Sequence, residues 1–211
     1  MSPPFLSEVL NSVTYLHVSY ARSLHDLSKF PGLEILQLVG CDPVDLGQLG
    51  ELPALCSLVV KFSNLTDLAG VGEKFPQLRR FEAGMNRIED LSPLLECAKL
   101  RRLDVRGNPL SEGSYREIAP ELLNRGVRVS LSEEADWKMH LELQRHGLPF
   151  GFYSAHDGSR LCRTGLAETD RPDLSHPIVS RDVLAGVLAR DPGEVQKLFS
   201  RADLMPTTLG P

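Results

Sequence analysis

The sequence lacks several patterns that would point to particular functions. Its four cysteines form no Cys-x-x-Cys pair, which argues against a zinc site and against a dense disulfide framework. Its formal net charge is −5, so no general attraction to nucleic acid or anionic lipid is expected. It has no run of about 18 apolar residues, and no basic segment precedes an apolar one near its start. We therefore expect a cytoplasmic protein that binds neither nucleic acid nor membranes.

Patterns for nucleotide and metal binding are missing as well. Gly70, Gly72 and Gly84 lack the Lys-Ser/Thr that completes a phosphate-binding loop. His140 and His146 stand six residues apart, a spacing that does not place two histidines on one face of a helix. We therefore expect no cofactor and no metal ion.

The sequence does contain an internal repeat, a feature that decides the whole fold. Apolar residues recur at offsets of zero, three and five residues in five copies, whose first members lie 20, 22, 23 and 22 residues apart. The copies are Val13/Leu16/Val18, Leu33/Leu36/Leu38, Leu55/Leu58/Val60, Leu78/Phe81/Ala83 and Leu100/Leu103/Val105. This spacing predicts a solenoid with coils of about 22 residues.

A second apolar pattern follows three of these triplets at offsets of ten, thirteen and sixteen. Its members are Pro43/Leu46/Leu49, Leu65/Leu68/Val71 and Ile88/Leu91/Leu94. Each coil therefore has a short strand and a return limb that both face inward, and one coil cannot bury its leucines alone. Stacking of neighbouring coils would create the core and a parallel sheet on one face.

Small side chains mark the turn after each strand. Offset eight carries Asn86 and Asn108 in two copies and Cys41 in a third, where such a side chain can bond backbone groups left open at the end of the strand. Ala21 and Ser63 stand at this offset in the other two copies. Less regular turns are expected there.

The segments LRRFEAGMNRI and LRRLDVRGNPL resemble the leucine-rich-repeat superfamily, whose pattern is Leu-x-x-Leu-x-Leu-x-x-Asn/Cys-x-Leu. The resemblance covers residues 13–110, and the period is similar to that of the short repeat class. It implies an α/β fold: a solenoid with a parallel β-sheet on the concave face and with extended or 3₁₀ return limbs.

Four regions are predicted along the chain. Residues 1–12, with apolar residues at helical spacing, should form an N-terminal cap helix. The solenoid should occupy residues 13–131, and its last repeat is lengthened by a helix. Residues 132–204 should form a small α+β C-terminal cap or extension, and residues 205–211 a loose tail.

The C-terminal region carries its own local signals. A helix is predicted to begin at Ser132, and a hairpin to turn at Asp157-Gly158. An irregular link and two short helices should follow, with Ser180 and Asp191 as their N-terminal caps. The simplest role for this region is to seal the end of the solenoid.

The concave face of the sheet is the candidate binding site. In a repeat of this kind the residues at offsets two, four and six point away from the core, onto that face. The candidate partner-binding residues are Tyr15, His17, Ile35, Gln37, Val39, Val59, Lys61, Arg80, Glu82, Arg102, Asp104, Arg106 and Arg128.

Two halves of different chemistry are expected on this face. Four apolar side chains should be exposed in the first half, which suits a protein contact: Tyr15, Ile35, Val39 and Val59. Four arginines in the second half could receive an acidic segment: Arg80, Arg102, Arg106 and Arg128. Alternatively, Glu82 and Asp104 could form ion pairs with these arginines across the strands. The paired charges would then be solvated and would contribute little to the binding of a ligand.

The sequence therefore predicts a monomeric, non-catalytic interaction module that binds another protein through its concave face, as a regulatory subunit or an immunity-type inhibitor. The alternative is an enzyme or effector in which the repeats dock the substrate and the C-terminal region has a cysteine-dependent activity. Cys162 would be the nucleophile of that enzyme, since it has basic neighbours and His156 lies six residues before it.

Overall fold

The computed structural model describes residues 4–42, 44–165 and 172–206. Helix α1 (Pro4–Ser12) precedes a six-stranded sheet in which strand order follows chain order. The strands are β1 (Tyr15–Ser19), β2 (Ile35–Val39), β3 (Ser57–Lys61), β4 (Arg80–Glu82), β5 (Arg102–Asp104) and β6 (Arg128–Ser130). Every neighbouring pair is parallel, which confirms the predicted solenoid sheet.

The return limbs contain short helical turns, except that the described residues between β2 and β3 form non-helical turns. Two coils carry 3₁₀ helices, His25–Lys29 and Ser92–Glu96, and the coil between β3 and β4 has one α-helical turn, α2 (Val71–Lys74). The last return limb is longer, since a π-helical turn, Ser114–Ile118, leads into α3 (Ala119–Asn124). Both the 3₁₀ limbs and the lengthened last repeat agree with the sequence prediction. Within the described residues, no helix is long and apolar enough to cross a membrane.

The leucines of both limbs pack into one continuous core. Leu36 and Leu38 on β2 are fully buried, and so are Leu65 and Leu91 on the return limbs. Full burial of a leucine stabilises a fold by about 1.5–3 kcal/mol. At the C-terminal end the same core reaches Trp137, which is 1% exposed. The leucines that recur at regular intervals in the sequence are therefore the residues that form the core.

Each of the first five strands is followed by a residue in the left-handed region, a feature that the sequence analysis did not identify. At offset seven, φ is 60° at Tyr20, 59° at Gly40, 54° at Phe62, 57° at Met85 and 75° at Gly107. Glycine adopts this conformation freely, whereas another residue loses roughly 1–2 kcal/mol in it. Three of these five turns are therefore strained, and the contacts around them must hold them in place.

The buried asparagines supply such contacts. Asn86 is 1% exposed, and its Nδ2 donates to the carbonyl oxygen of Val60 at 2.8 Å. Its Oδ1 accepts from the backbone N–H groups of Ser63 at 3.0 Å and Leu65 at 3.2 Å. Asn108 bonds the next turn in the same way, so these two side chains form the predicted ladder between coils.

The turn at Ser63 is part of the same ladder, and it is less regular than the others, as expected, because both Phe62 and Asn64 hold left-handed backbone there. The Ser63 hydroxyl donates to the carbonyl oxygen of Lys61 at 2.7 Å and accepts from the N–H of Cys41 at 3.2 Å. A hydroxyl, like an amide, has both a donor and an acceptor, which is what the position needs. Ala21 has neither, and there the backbone itself bridges the coils through the N–H of Asp42 and the carbonyl of Ala21.

Residues after β6 form a second unit with a small core of its own. It contains α4 (Glu134–Arg145), an antiparallel hairpin, a 3₁₀ turn (Pro172–Ser175), α5 (Arg181–Arg190) and two further 3₁₀ segments (Pro192–Ser200 and Ala202–Leu204). The hairpin consists of β7 (Phe150–Ala155) and β8 (Gly158–Arg163). The core residues of this unit are Leu143, Phe152, Leu161, Val179, Leu184, Leu188, Val195 and Leu198.

The predicted helix caps of this unit are correct in two of three cases. The side chain of Ser180 accepts from the N–H of Val183, and that of Asp191 from the N–H of Gly193. Ser132 does not cap α4, because its hydroxyl instead accepts from the N–H of Gly107 at 2.8 Å. Residues 166–171 of the predicted irregular link (164–177) and residues 207–211 of the predicted loose tail lie outside the described residues, and the described part of the link contains the 3₁₀ turn Pro172–Ser175.

The C-terminal unit does more than seal the end of the solenoid, because its chain returns along the turns as far as β3. The N–H of Gly165 donates to the carbonyl oxygen of Phe62 at 3.0 Å, and the hydroxyl of Thr164 donates to Oδ1 of Asn64. The ring of His176 lies 5.3 Å from that of Phe62. The unit thereby covers the turn at which both Phe62 and Asn64 hold left-handed backbone.

Gly165→Ala is expected to detach this returning segment. Gly165 has φ +110°, and an added Cβ would lie 2.7 Å from Nδ2 of Asn64 and 2.9 Å from Oδ2 of Asp42. We expect a loss of about 1–3 kcal/mol in the stability of the contact, because both the strain and the clash oppose it. Hydrogen exchange at the backbone amide of position 165 should accelerate.

Gly186→Ala is the matched control for this variant. Gly186 lies within α5, and an added Cβ meets no atom within 4 Å. This change should slightly stabilise the helix, by roughly 0.5–1 kcal/mol, and leave the exchange at position 165 unaltered. Unchanged exchange in Gly165→Ala would contradict the role of the returning segment as a close contact.

Candidate binding face

The outward side chains of the six strands form rows because the strands are paired in register. The first row consists of Tyr15, Ile35, Ser57, Arg80, Arg102 and Arg128, and the second row of His17, Gln37, Val59, Glu82, Asp104 and Ser130. A third row, Ser19, Val39 and Lys61, crosses the three longer strands. The structure thus places the predicted strand residues of the site on one face, and Arg106 lies two residues after the end of β5.

The apolar half of this face is smaller than predicted. Tyr15 is 50% exposed, and Ile35 and Val39 are half-buried, so these three side chains reach solvent. Val59 is only 7% exposed, and its prediction as an exposed contact residue is wrong. Val59 is a short side chain in the middle of the second row, and the longer residues around it limit the access of water to it.

Glu82 lies at the centre of the basic half and is 6% exposed. Its carboxylate is 2.7 Å from Nη2 of Arg80, 3.4 Å from Nε of Arg102 and 3.7 Å from Nζ of Lys61. The three cationic side chains remain 41–49% exposed. Glu82 therefore lies beneath a layer of cationic groups whose outer surfaces face solvent.

Asp104 repeats this arrangement on the next strand with one arginine. Arg106 donates to both of its carboxylate oxygens, through Nη2 at 2.6 Å and Nε at 3.0 Å. Burial raises the pKa of Asp104, but the hydrogen bonds and charge of Arg106 outweigh this and hold the pKa below its ordinary value. The same side-chain hydrogen bond raises the pKa of Arg106. The pair is charged throughout the physiological range.

Positive charge is in excess on this half. Lys61, Arg80, Arg102, Arg106 and Arg128 face two carboxylates, although the whole chain has a net charge of −5. Arg128 is exposed, and its guanidinium has no hydrogen-bond or ion-pair partner among the described residues. Pairing with the cations, the alternative predicted from the sequence, therefore holds for both carboxylates, Glu82 and Asp104. It leaves Arg128 and the outer surfaces of the other arginines available to a ligand.

Comparison with known proteins finds solved structures that are similar to the chain, among them two internalins. Internalin C2 from Listeria monocytogenes is 21% identical, with a TM-score of 0.48 over 60% of this chain and 56% of that chain. Another internalin from Listeria monocytogenes is 15% identical, with a TM-score of 0.42 over 61% of this chain and 46% of that chain. No family model matches the chain.

A sequence relative is the human leucine-rich repeat-containing protein 56, which is 34% identical over 97 residues. This match covers 44% of the present chain. The chain is a leucine-rich-repeat protein. The match covers only 18% of the human protein, so the chain corresponds to less than a fifth of that relative.

A second basic cluster, which was not predicted from the sequence, lies at the edge of the sheet and outside the rows of the concave face. Arg79, Lys99 and Arg101 lie next to the starts of β4 and β5 and line an open cavity of about 390 Å³. Arg79 and Arg101 occupy offset one of their repeats and precede Arg80 and Arg102. The doubled arginines in LRRF and LRRL were the signal, since offset one lies at the edge of the sheet and offset two on its face.

The structure does not support the alternative of a cysteine-dependent enzyme. Cys162 is fully buried, and burial raises the pKa of its thiol, which suppresses the reactive thiolate. His156 lies in the hairpin turn, and Cys162 is four residues along β8 from Gly158, or roughly 13 Å. The two residues are therefore too far apart for a nucleophile and its base. Among the described residues, no three His, Cys, Asp or Glu side chains are grouped so that they could hold a metal ion.

Proposed function

We propose that the leucine-rich-repeat protein binds another protein through its concave face. The observation that carries this proposal is the first row, in which one exposed aromatic residue, one aliphatic residue and three arginines stand on a single line across a rigid sheet. Aromatic residues and arginine are the side chains that contribute most to protein interfaces. Two roles fit such binding: a regulatory subunit of an enzyme and an immunity-type inhibitor.

The ion pairs already present on the face do not oppose this function. Arg80, Arg102 and Lys61 are about half exposed, so part of each cationic group faces solvent rather than Glu82. A partner carboxylate can therefore bind the outward N–H groups while the contacts with the buried Glu82 stay in place. Meanwhile the buried Glu82 holds two guanidinium groups in fixed orientations, which lowers the entropy that binding would cost.

The test is partner capture with matched arginine variants. Arg102→Gln with Arg128→Gln removes two cations from the first row and leaves the 2.7 Å contact between Arg80 and Glu82. Arg79→Gln with Arg101→Gln removes the same charge at the sheet edge. We expect the first variant to weaken binding of the captured protein by about 10-fold or more, since charged contacts contribute roughly 1.5–3 kcal/mol each. The edge variant should remain within about twofold of the unmodified protein.

Ile35→Asp tests the apolar half of the same face. Ile35 stands next to Tyr15 in the first row, and a carboxylate there would be desolvated by any partner that covers the patch. Binding should again fall by about 10-fold or more, measured by surface plasmon resonance on protein whose thermal unfolding is unchanged. A partner whose affinity is the same for the unmodified chain and for both face variants would show that the concave face is not the binding site.

A further inference from the structure

The first row places its apolar and basic side chains at fixed distances from one another. Parallel strands lie about 4.8 Å apart, and Ile35 on β2 is separated from Arg80 on β4 by two such intervals, or about 10 Å. Arg128 on β6 lies two intervals further, about 19 Å from Ile35. An extended peptide advances about 3.3 Å per residue, so these distances correspond to roughly three and six residues.

The arginines of this row are more closely packed than charge alone would favour. Arg80, Arg102 and Arg128 are direct neighbours in the register, and like charges opposite each other in a sheet destabilise it. Glu82 contacts two of them, and Arg128 has no partner among the described residues. Carboxylates laid along the row would relieve this repulsion, and the planar fork of each guanidinium suits them.

The surroundings of the row favour a peptide over a nucleic acid. Tyr15 and Ile35 continue the same line with apolar surface, which a phosphate backbone would not use. Glu82 and Asp104 in the second row neutralise part of the positive charge beside them, which weakens the attraction that a continuous chain of phosphates would need. Single carboxylate side chains spaced along a peptide can reach the arginines and avoid these two residues.

We infer that the concave face binds an extended segment of its protein partner that crosses the strands along the first row, with an apolar residue over Tyr15 and Ile35 and acidic residues about three and six positions away. This inference rests on the proposed function and adds the chemistry of the partner to it. The segment can run in either chain direction, because side chains rather than backbone groups of the sheet contact it.

The experiment selects ligands from a random 12-residue peptide library displayed on phage, with the full chain as the target. Enriched peptides are synthesised with a fluorescein label, and their affinity is measured by fluorescence anisotropy. Each is compared with a variant in which the acidic residues become amides and with one in which two glycines separate the apolar residue from the acidic ones. A labelled single-stranded RNA of 20 nucleotides is measured in parallel.

The expected result is a set of peptides with an apolar residue three positions from an acidic one, whose affinity falls about 10-fold on amidation or on insertion of the glycines. Arg102→Gln with Arg128→Gln should reduce it as much, and Arg79→Gln with Arg101→Gln should not. Peptides that bind the unmodified chain, fail to bind Ile35→Asp and lack this spacing would overturn the inference. They would leave the proposed function intact, because they still bind the concave face. RNA binding that depends on Arg102 and Arg128 would overturn the choice of a peptide. A library without binders would overturn the extended segment, while partner capture still decides the proposed function.

Discussion

Asn86→Ala is expected to lower the free energy of unfolding by about 3–5 kcal/mol, because several buried backbone groups lose their only side-chain partner. The Asn86 amide accepts from two backbone N–H groups and donates to carbonyl groups of two neighbouring coils, among them Val60 and Ala83. Alanine would remove the side-chain partner of the N–H groups of Ser63 and Leu65 and of the Val60 carbonyl. The carbonyl of Ala83 would keep its bond from Nδ2 of Asn108. The strained turn at Met85 would lose its support as well. Urea unfolding followed by circular dichroism measures the change.

Asn124→Ala provides the matched control. Asn124 is exposed at the end of α3, and its replacement should alter the free energy of unfolding by no more than about 0.5 kcal/mol. Similar small effects of the two substitutions would show that the asparagine ladder contributes little to the solenoid.

The stability of the protein is expected to fall by about 3 kcal/mol as the pH is lowered from 6.5 to 4, through His140 alone. His140 is fully buried, and its burial lowers its pKa to about 4 from the ordinary 6.5, although the carbonyl and the charge of Asp136 oppose the shift. Nδ1–H donates to the carbonyl oxygen of Asp136 at 2.9 Å, and Nε2 accepts from the N–H of Phe152 at 2.8 Å. A second proton on Nε2 would face that N–H.

The sign of this effect follows from which state binds the proton. Between pH 4 and 6.5 the unfolded chain protonates this histidine and the folded chain does not, so acid favours unfolding. Above pH 6.5 His140 is neutral in both states and does not lower the free energy of unfolding. As the pH falls from 6.5 towards 4, protonation of the unfolded chain progressively lowers it. Such a loss of stability would loosen the junction of α4 with β7, where His140 bonds Phe152.

His140→Gln isolates this contribution, because glutamine can still accept a hydrogen bond but does not titrate. The free energy of unfolding, measured by urea titration at intervals from pH 7 to 4, should depend less steeply on pH in this variant than in the unmodified protein. His156→Gln removes an exposed histidine of the hairpin turn and should keep the original slope. Identical slopes for all three proteins would refute the assignment to His140.

The sequence predicted the solenoid and the composition of its concave face because both depend on local periodicity. The repeat of leucines at offsets zero, three and five fixes which side chains enter the core, and a strand turns the alternate residues outward. Ile35, Arg80 and Arg102 therefore fall on one row, as the sequence had placed them. The constancy of the period keeps the coils in register without any information about long-range contacts.

The exposure and pairing of these residues could not be predicted in the same way. Val59, Glu82 and Asp104 have the same offset as the exposed His17, yet each is only 6–7% exposed. The sequence also gave no sign that Gly165 would return to Phe62, since the two residues are 103 positions apart (165 less 62) and share no repeat. Such contacts depend on how separate segments pack in space.

The amino-acid sequence by itself determined the number of coils, the inward leucines, the asparagine ladder and the identity of the outward residues, because each of these is set within one repeat of about 22 residues. The tertiary structure alone decided that Glu82 lies beneath three cations, that Arg128 stays unpaired among the described residues, and that the C-terminal unit braces the turn after β3. These features arise from side chains of different coils that meet only after stacking, when burial, charge and hydrogen bonding act between residues far apart in the chain.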